Sequence, residues 1–422
     1  MKGLKSKIAA LAVGAVVSVT AVAGLTGCGG GGGKNTNTIF LYPINYYGIE
    51  GKAFTSRWDG MAGALRDAGW SITGDGQKDS QQFKVSRTAA CTMPEDTQIV
   101  FVNNQTWDTN LALTDKLLEY QPLAVISTCN GVEFCSERIA ANSPDTQNAT
   151  YASFTANYKT AFENGTLNYM ASKYTSGLAP IVAATYHAVT TGSRLLGTDG
   201  KPLHNTQEFW MVDSYEKYLE MEEYDIYDGD TPTIMKADMD EILNDSAKFE
   251  EFVTKYTKTY DGVKSLVEKH KSEKPKDTVA TTEKFKVGLL VPNSINDSVQ
   301  LYINFIEGYL AKVYNFETQK YSVSGTVSQD AAARQAISGN CKALISMQDD
   351  TDRATACKEA DNAGVWFAVV GACIYGTDEW EEMAGYAHYV GSIGTSLESE
   401  YNAGYQLVKK YIDIINERGA LK

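Results

Sequence analysis

Histidine is scarce in this chain: four in 422 residues, His187, His204, His270 and His388, each standing alone. That scatter argues against a histidine-built metal or proton-transfer cluster, and no metal site is expected. Positive charge is also short, with 38 Lys and Arg against 52 Asp and Glu and a formal charge of −14. No basic stripe interrupts this acidity, which excludes nucleic acid as a partner, since phosphates demand clustered Lys and Arg. The G-x-S-x-G elbow, the H-E-x-x-H helix and the phosphate-cradling loop are all missing; the glycine run at 29–33 has no strand before it. No catalytic residue and no cofactor is therefore expected, and the chain is read as non-enzymatic. Carboxylates are plentiful, as on any acidic surface, so a glycosidase-type pair in an extracellular hydrolase is the enzymatic alternative.

Cysteine is sparse too. Beyond Cys28 there are six, Cys91, Cys129, Cys135, Cys341, Cys357 and Cys373, at spacings that match no metal-binding pattern. Unpaired buried thiols and one or two disulfides both remain open.

What is present begins at the N-terminus. Lys2, Lys5 and Lys7 precede an apolar run from Ile8 to Leu25, the form of a secretory signal. Leu25-Thr26-Gly27-Cys28 resembles the bacterial lipobox, which implies a signal peptide over 1–27, lipidation at Cys28 and residence on the extracytoplasmic face of the cell membrane. Residues 28–35, with Gly29 to Gly33, then read as a flexible tether.

From Phe285 onward, short apolar runs alternate with helix-period segments, the pattern of parallel strands joined by crossover helices. "KVGLLVP", "YSVSG", "ALISM", "VWFAVV" and "YVGSI" are five predicted strands. The first part behaves alike: "TIFLYPI", "WSITG", "QIVFVNN", "LAVIST" and "ATYASF" alternate with helices predicted over 54–68, 110–120 and 133–141. The fold class is therefore α/β, with two doubly wound parallel-sheet lobes. Between them lie an apolar helix from Leu178 to Thr191, a strand-like "EFWMV", an amphipathic helical extension over 237–270 and a polar linker over 271–283.

The segment "KVGLLVPNSINDSVQLYINFIEGYLAK" is similar to the opening strand, ligand loop and first helix of the type I periplasmic solute-binding proteins, the fold of ribose and galactose receptors and of the lac-repressor core. "YVGSIGTSLESEYNAGYQLVKKYI" resembles the segment by which that family leaves its N-terminal lobe. The element that should follow is found at the other end of the chain, where "TIFLYPI" and "FTSRWDGMAGALRDAG" look like the opening of the second lobe. The resemblance thus implies a circularly permuted order. Residues 36–176, completed by 395–422 and 206–236, would form the family's C-terminal lobe, and 177–205 with 284–394 its N-terminal lobe, joined by a three-strand hinge near 391–394, 174–177 and 206–212. Two diverged tandem lobes without exchange, or a receptor truncated by a gene-model error, are the competing readings.

Doubly wound sheets bind ligands at the carboxyl ends of their strands. From the later-coded lobe this places Asn293, Asn296, Asp297, Gln348, Asp349 and Tyr375 at the cleft, and from the earlier-coded lobe Asn45, Tyr46, Tyr47, Gln105, Trp107 and Asn130. Amides and carboxylates form paired hydrogen bonds and aromatic faces stack on rings, a combination suited to a small neutral polar ligand such as a sugar or nucleoside. Departures from the ribose receptors are clear: Gly371-Ala372 stands where an Asp-Arg pair is usual, Val299 and Gln300 where two Phe are usual, and Thr55 in place of a ligand-binding Arg. The resemblance implies a receptor of an ABC-type importer whose partners are the ligand, a membrane permease and the bilayer; a sensor for a membrane signalling protein uses the same cleft and is the alternative.

Overall fold

The computed structural model describes residues 36–42, 52–73, 84–101, 107–129, 131–225, 232–324, 326–347, 352–372 and 374–420. Chain order begins with β1 (Thr36–Tyr42), α1 (Lys52–Asp67), β2 (Trp70–Thr73), β3 (Lys84–Arg87), β4 (Gln98–Phe101), α2 (Trp107–Leu118) and β5 (Pro122–Ser127). A π-helical turn, Val132–Ser136, runs into α3 (Glu137–Asn142), followed by β6 (Gln147–Ser153), α4 (Ala156–Glu163) and β7 (Tyr169–Lys173). Next come α5 (Ala179–Thr191), β8 (Leu203–Gln207), β9 (Trp210–Val212), α6 (Tyr215–Asp225), α7 (Lys236–Asp240), α8 (Ser246–Tyr256) and α9 (Tyr260–Glu273). The last part holds β10 (Phe285–Pro292), α10 (Asp297–Phe305), α11 (Ala311–Val313), β11 (Phe316–Val323), α12 (Gln329–Ser338), β12 (Cys341–Ser346), α13 (Arg353–Asn362), β13 (Trp366–Val370), α14 (Asp378–Ala384), β14 (Tyr389–Thr395) and α15 (Leu397–Ala420).

These strands make two six-stranded sheets, ordered β4-β1-β5-β6-β7-β9 and β11-β10-β12-β13-β14-β8. All neighbours are parallel except β9, which runs antiparallel to β7 at an edge. Numbered by position, the first five strands of both lobes follow the doubly wound order 2-1-3-4-5, which places a switch point between strands 1 and 3. The central strands are apolar on both faces because helices cover both, as in β5, where all six residues are buried.

Three segments pass from one lobe to the other. β8 is coded among the elements of the earlier lobe yet pairs with β14, Gly391 beside Leu203 through Thr395 beside Gln207. Helix α5 likewise leaves β7 and packs behind β12, β13 and β14. In return, α15 leaves β14 and lies along α1, about 340 residues earlier in the chain, its Leu407, Val408, Tyr411 and Ile415 sharing a core with Met61 and Leu65. Two glycines permit that contact: a Cβ on Gly60 would stand 1.9 Å from the Tyr401 carbonyl oxygen, and one on Gly404 2.1 Å from that of Arg57.

The structure departs from the sequence reading in two places. "WSITG" is not a strand of the main sheet; β2 pairs with β3 in a separate antiparallel hairpin. The second crossing is no strand: residues Ser176–Leu178 form a 3-10 turn, and the third passes between β8 and β9. The amphipathic extension over 237–270 is three helices, and their Phe249, Phe252, Val253 and Leu266 join the core behind α5. Cys91, Cys129, Cys135, Cys341 and Cys357 are free thiols, while Cys373 lies outside the described residues.

Candidate functional site

The strand order brings the carboxyl ends of β1, β5, β6 and β7 to one side of the hinge and those of β10, β12, β13 and β14 to the other. Contacts made across this gap identify its walls. Asp297, the first residue of α10, accepts a hydrogen bond from Asn157 Nδ2 at 3.5 Å, and Asn157 stands in the first turn of α4, just past β6. Lys173, the last residue of β7, donates from Nζ to the carbonyl oxygen of Gly371, just past β13, at 3.1 Å. Lys52, at the start of α1, faces Asp378 at 4.0 Å.

Glu133 belongs to the same wall. It sits on the π-helical turn after β5, a local irregularity common at functional sites. Tyr158, next to Asn157, donates to Glu133 Oε2 at 3.1 Å. Glu133 keeps access to solvent, yet desolvation by the surrounding protein pushes its carboxyl above the ordinary value, and the Asp297 charge pushes the same way against the Tyr158 hydrogen bond. The wall thus combines two carboxylates, an amide, a phenol and an ammonium group, all able to hydrogen-bond a polar ligand.

Among the residues expected at the cleft, Asp297 takes its place there. Asn293 and Asn296 are exposed on the same loop, and the Asn296 side chain is spent as the N-cap of α10, accepting from Val299 N at 2.9 Å. Tyr375 is not brought to Asp297: its ring stacks on His204 of β8, with centroids 4.2 Å apart, and meets Trp380 edge-on. Asn45, Tyr46, Tyr47, Gln105, Asn130, Gln348, Asp349 and Cys28 lie outside the described residues, as does the Trp107 side chain.

Behind the cleft floor, at the foot of the hinge, is a buried ion pair. Arg57 Nε donates to Glu400 Oε2 at 2.5 Å, both side chains being almost wholly enclosed, and Arg57 Nη1 donates to the Thr128 carbonyl oxygen at 3.1 Å. The guanidinium lies over the rings of Tyr151 and Phe54, 4.4 and 4.7 Å from their centroids. Burial opposes its charge, but the attraction and hydrogen bonding of Glu400 together outweigh burial and hold it above the usual range. Thr395 Oγ1, at the end of β14, donates to the other oxygen of Glu400. This pair fastens α1 and α15 at the point where the chain leaves β14.

The second crossing is held by another carboxylate. Asp225, buried at the end of α6, accepts from the backbone N–H groups of Thr175 and Ser176. Burial pushes its carboxyl up to about 7 against those hydrogen bonds. A raised value means that the folded state binds the proton more tightly than the unfolded state. The stabilisation from this group is therefore complete below about pH 3.8 and is lost as pH rises towards 7. Asp225→Asn keeps an acceptor for both amides and removes the titration. Urea unfolding between pH 5 and 8 is expected to show a fall in stability with pH that is shallower in the variant, by up to about 1.4 kcal/mol per pH unit. Identical slopes would contradict this.

Neither a protein-family model nor a curated protein matches the chain. Among solved structures it is similar to GanP, a glucose-galactose binding protein from Geobacillus stearothermophilus, at 9% identity over 91% of this chain and 92% of that one, TM-score 0.45. A putative LacI transcriptional regulator from Bacteroides fragilis is similar at 8% identity over 92% of both chains, TM-score 0.44. An ABC transporter periplasmic solute binding protein from Actinobacillus succinogenes, with bound D-allose, is similar at 9% identity over 90% of this chain and 91% of that one, TM-score 0.43. The strand orders and chain exchanges described above carry the fold without these likenesses.

Proposed function

We propose that this protein is a non-catalytic receptor that closes two lobes around a small polar solute, is held on the extracytoplasmic face of the membrane through Cys28, and presents the closed form to the permease of an ABC-type importer. We propose further that its lobes are coded in permuted order, the second before the first. The observation that carries the reading is the polar wall built from both lobes: Asp297 from one, Asn157, Tyr158 and Glu133 from the other, with Lys173 reaching across to Gly371. A ligand that touches both walls favours the closed state only by the difference between its affinities for the two states, so residues on each side must contribute.

Asp297→Ala is therefore expected to weaken the binding of whichever solute stabilises the protein by about 5- to 150-fold, as when a buried polar partner is left unpaired at about 1–3 kcal/mol. Tyr375→Ala, away from that wall, is expected to change affinity much less. Calorimetric titration of both variants checks this, and equal losses would place the site elsewhere. The membrane part has its own test. Cys28→Ala is expected to release the protein from the membrane or leave the precursor uncut; unchanged retention with normal processing would remove the anchor from the account.

A further inference from the structure

Helices α6, α8 and α9 are attached to both lobes and to the crossings between them. α8 belongs to one lobe: its Phe249, Phe252 and Val253 share a core with Leu178, Ile181 and Val182 of the crossing turn and α5. α9 spans two cores: its Val263 packs with Trp210, Val212, Tyr218 and Met221 of the other lobe, while its Leu266 stays in the core that holds α8. On the outside, Glu220 of α6 accepts from Lys264 Nζ at 2.7 Å and from the Tyr260 hydroxyl at 2.6 Å, fastening α9 to α6.

The turn between α8 and α9 grips two crossings at once. The Thr257 carbonyl oxygen accepts from the Tyr174 hydroxyl beside the second crossing, and the Lys258 carbonyl oxygen accepts from Glu208 N, 2.9 Å away, in the third. At the other end of α6, Asp225 holds the amides of Thr175 and Ser176. The second crossing is thus held from two sides by helices that are themselves tied together. Ser176 Oγ and the second oxygen of Asp225 are buried and have no hydrogen-bond partner among the described residues.

We propose that α6, α8 and α9 form a strap across the hinge, which limits how far the two lobes separate and holds the unliganded protein near the closed geometry. α8 moves with one lobe and α6 with the other, α9 is packed into both through Leu266 and Val263, and the turn at 257–259 is the fulcrum. Opening the cleft has to strain the packing of α9 in one of its two cores and to pull the Thr257 and Lys258 carbonyls away from the crossings. The inference rests on the receptor reading for its purpose but not for its test, which needs no ligand.

The test is a distance measurement on the full chain without added solute. Spin labels are carried on an unnatural amino acid at positions 116 of α2 and 358 of α13, both exposed and on different lobes. Glu220→Ala removes the outer bonds between α9 and α6, and Tyr174→Phe removes the tie to Thr257. Each is expected to broaden the interlobe distance distribution and to shift it to longer values, and the two together to shift it further. Glu359→Ala, which breaks only the surface pair with Arg334 inside one lobe, is expected to leave it unchanged. If Tyr174→Phe disturbs folding, Lys264→Ala tests the same strap from an exposed position. Distributions identical to wild type in folded Glu220→Ala and in folded Tyr174→Phe or Lys264→Ala would overturn the strap. Failure to find a stabilising solute would count against the receptor reading instead.

Discussion

Arg57→Ala is expected to lower the unfolding free energy by about 3–5 kcal/mol, the usual consequence of removing one partner of a buried ion pair. The reason is what remains. Glu400 would keep its charge inside the protein with Thr395 Oγ1 as its remaining side-chain donor among the described residues, and the Thr128 carbonyl oxygen would lose the Arg57 hydrogen bond. The double variant Arg57→Met, Glu400→Leu removes both charges and fills similar volume, so it is expected to be clearly more stable than the single variant. Denaturant unfolding of both variants decides the matter. A single variant that loses less than about 1 kcal/mol, the worth of a surface pair, would show that water reaches this site.

Removing α15, by ending the chain after Ser396, is expected to abolish folding of the lobe coded at the opposite end. Leu407, Val408, Tyr411, Ile412 and Ile415 are all buried against that lobe. At about 1.5–3 kcal/mol for each enclosed side chain they supply about 7–15 kcal/mol, as much as the whole net stability of a typical domain. The damage should appear far from the cut, as lost amide protection in β1 and β5, while β10 to β13 keep theirs. Protection lost instead around β10 to β13, with β1 intact, would mean that α15 belongs to the lobe that precedes it in sequence.

Much of this architecture was legible because parallel strands covered on both faces are nearly continuous apolar runs. "KVGLLVP" and "LAVIST" could scarcely be anything else, and the crossover helices announced themselves by their period. The pairing of β2 was not legible: Trp70-Ser71-Ile72-Thr73 alternates like a half-buried strand, and a four-residue alternation does not tell which sheet it joins. The extension 237–270 read as amphipathic, and Phe249, Phe252 and Val253 of α8 with Leu266 of α9 supply its buried side.

The site was legible only in part, for a similar reason. Asp297 follows a strand within its own lobe, so local order exposed it. Asn157, Glu133 and Lys173 matter because of what lies across the cleft, a relation between segments about 140 to 200 residues apart. Asn296 had the ordinary alternative role of a helix cap and takes it. Arg57 and Glu400 carried a signal that went unused: each is a charge on the apolar side of an amphipathic helix, where it requires a buried partner.

The most direct measurement of the central reading is a thermal-shift screen of the purified protein against sugars, nucleosides and amino acids. A solute that binds the folded state alone raises the melting temperature with its concentration, by about 2.7 kcal/mol of stabilisation at a hundred times its dissociation constant. At least one such solute is expected, with the shift much reduced in Asp297→Ala. A broad screen in which no small molecule stabilises the wild-type protein would contradict the receptor account and leave a structural surface protein in its place.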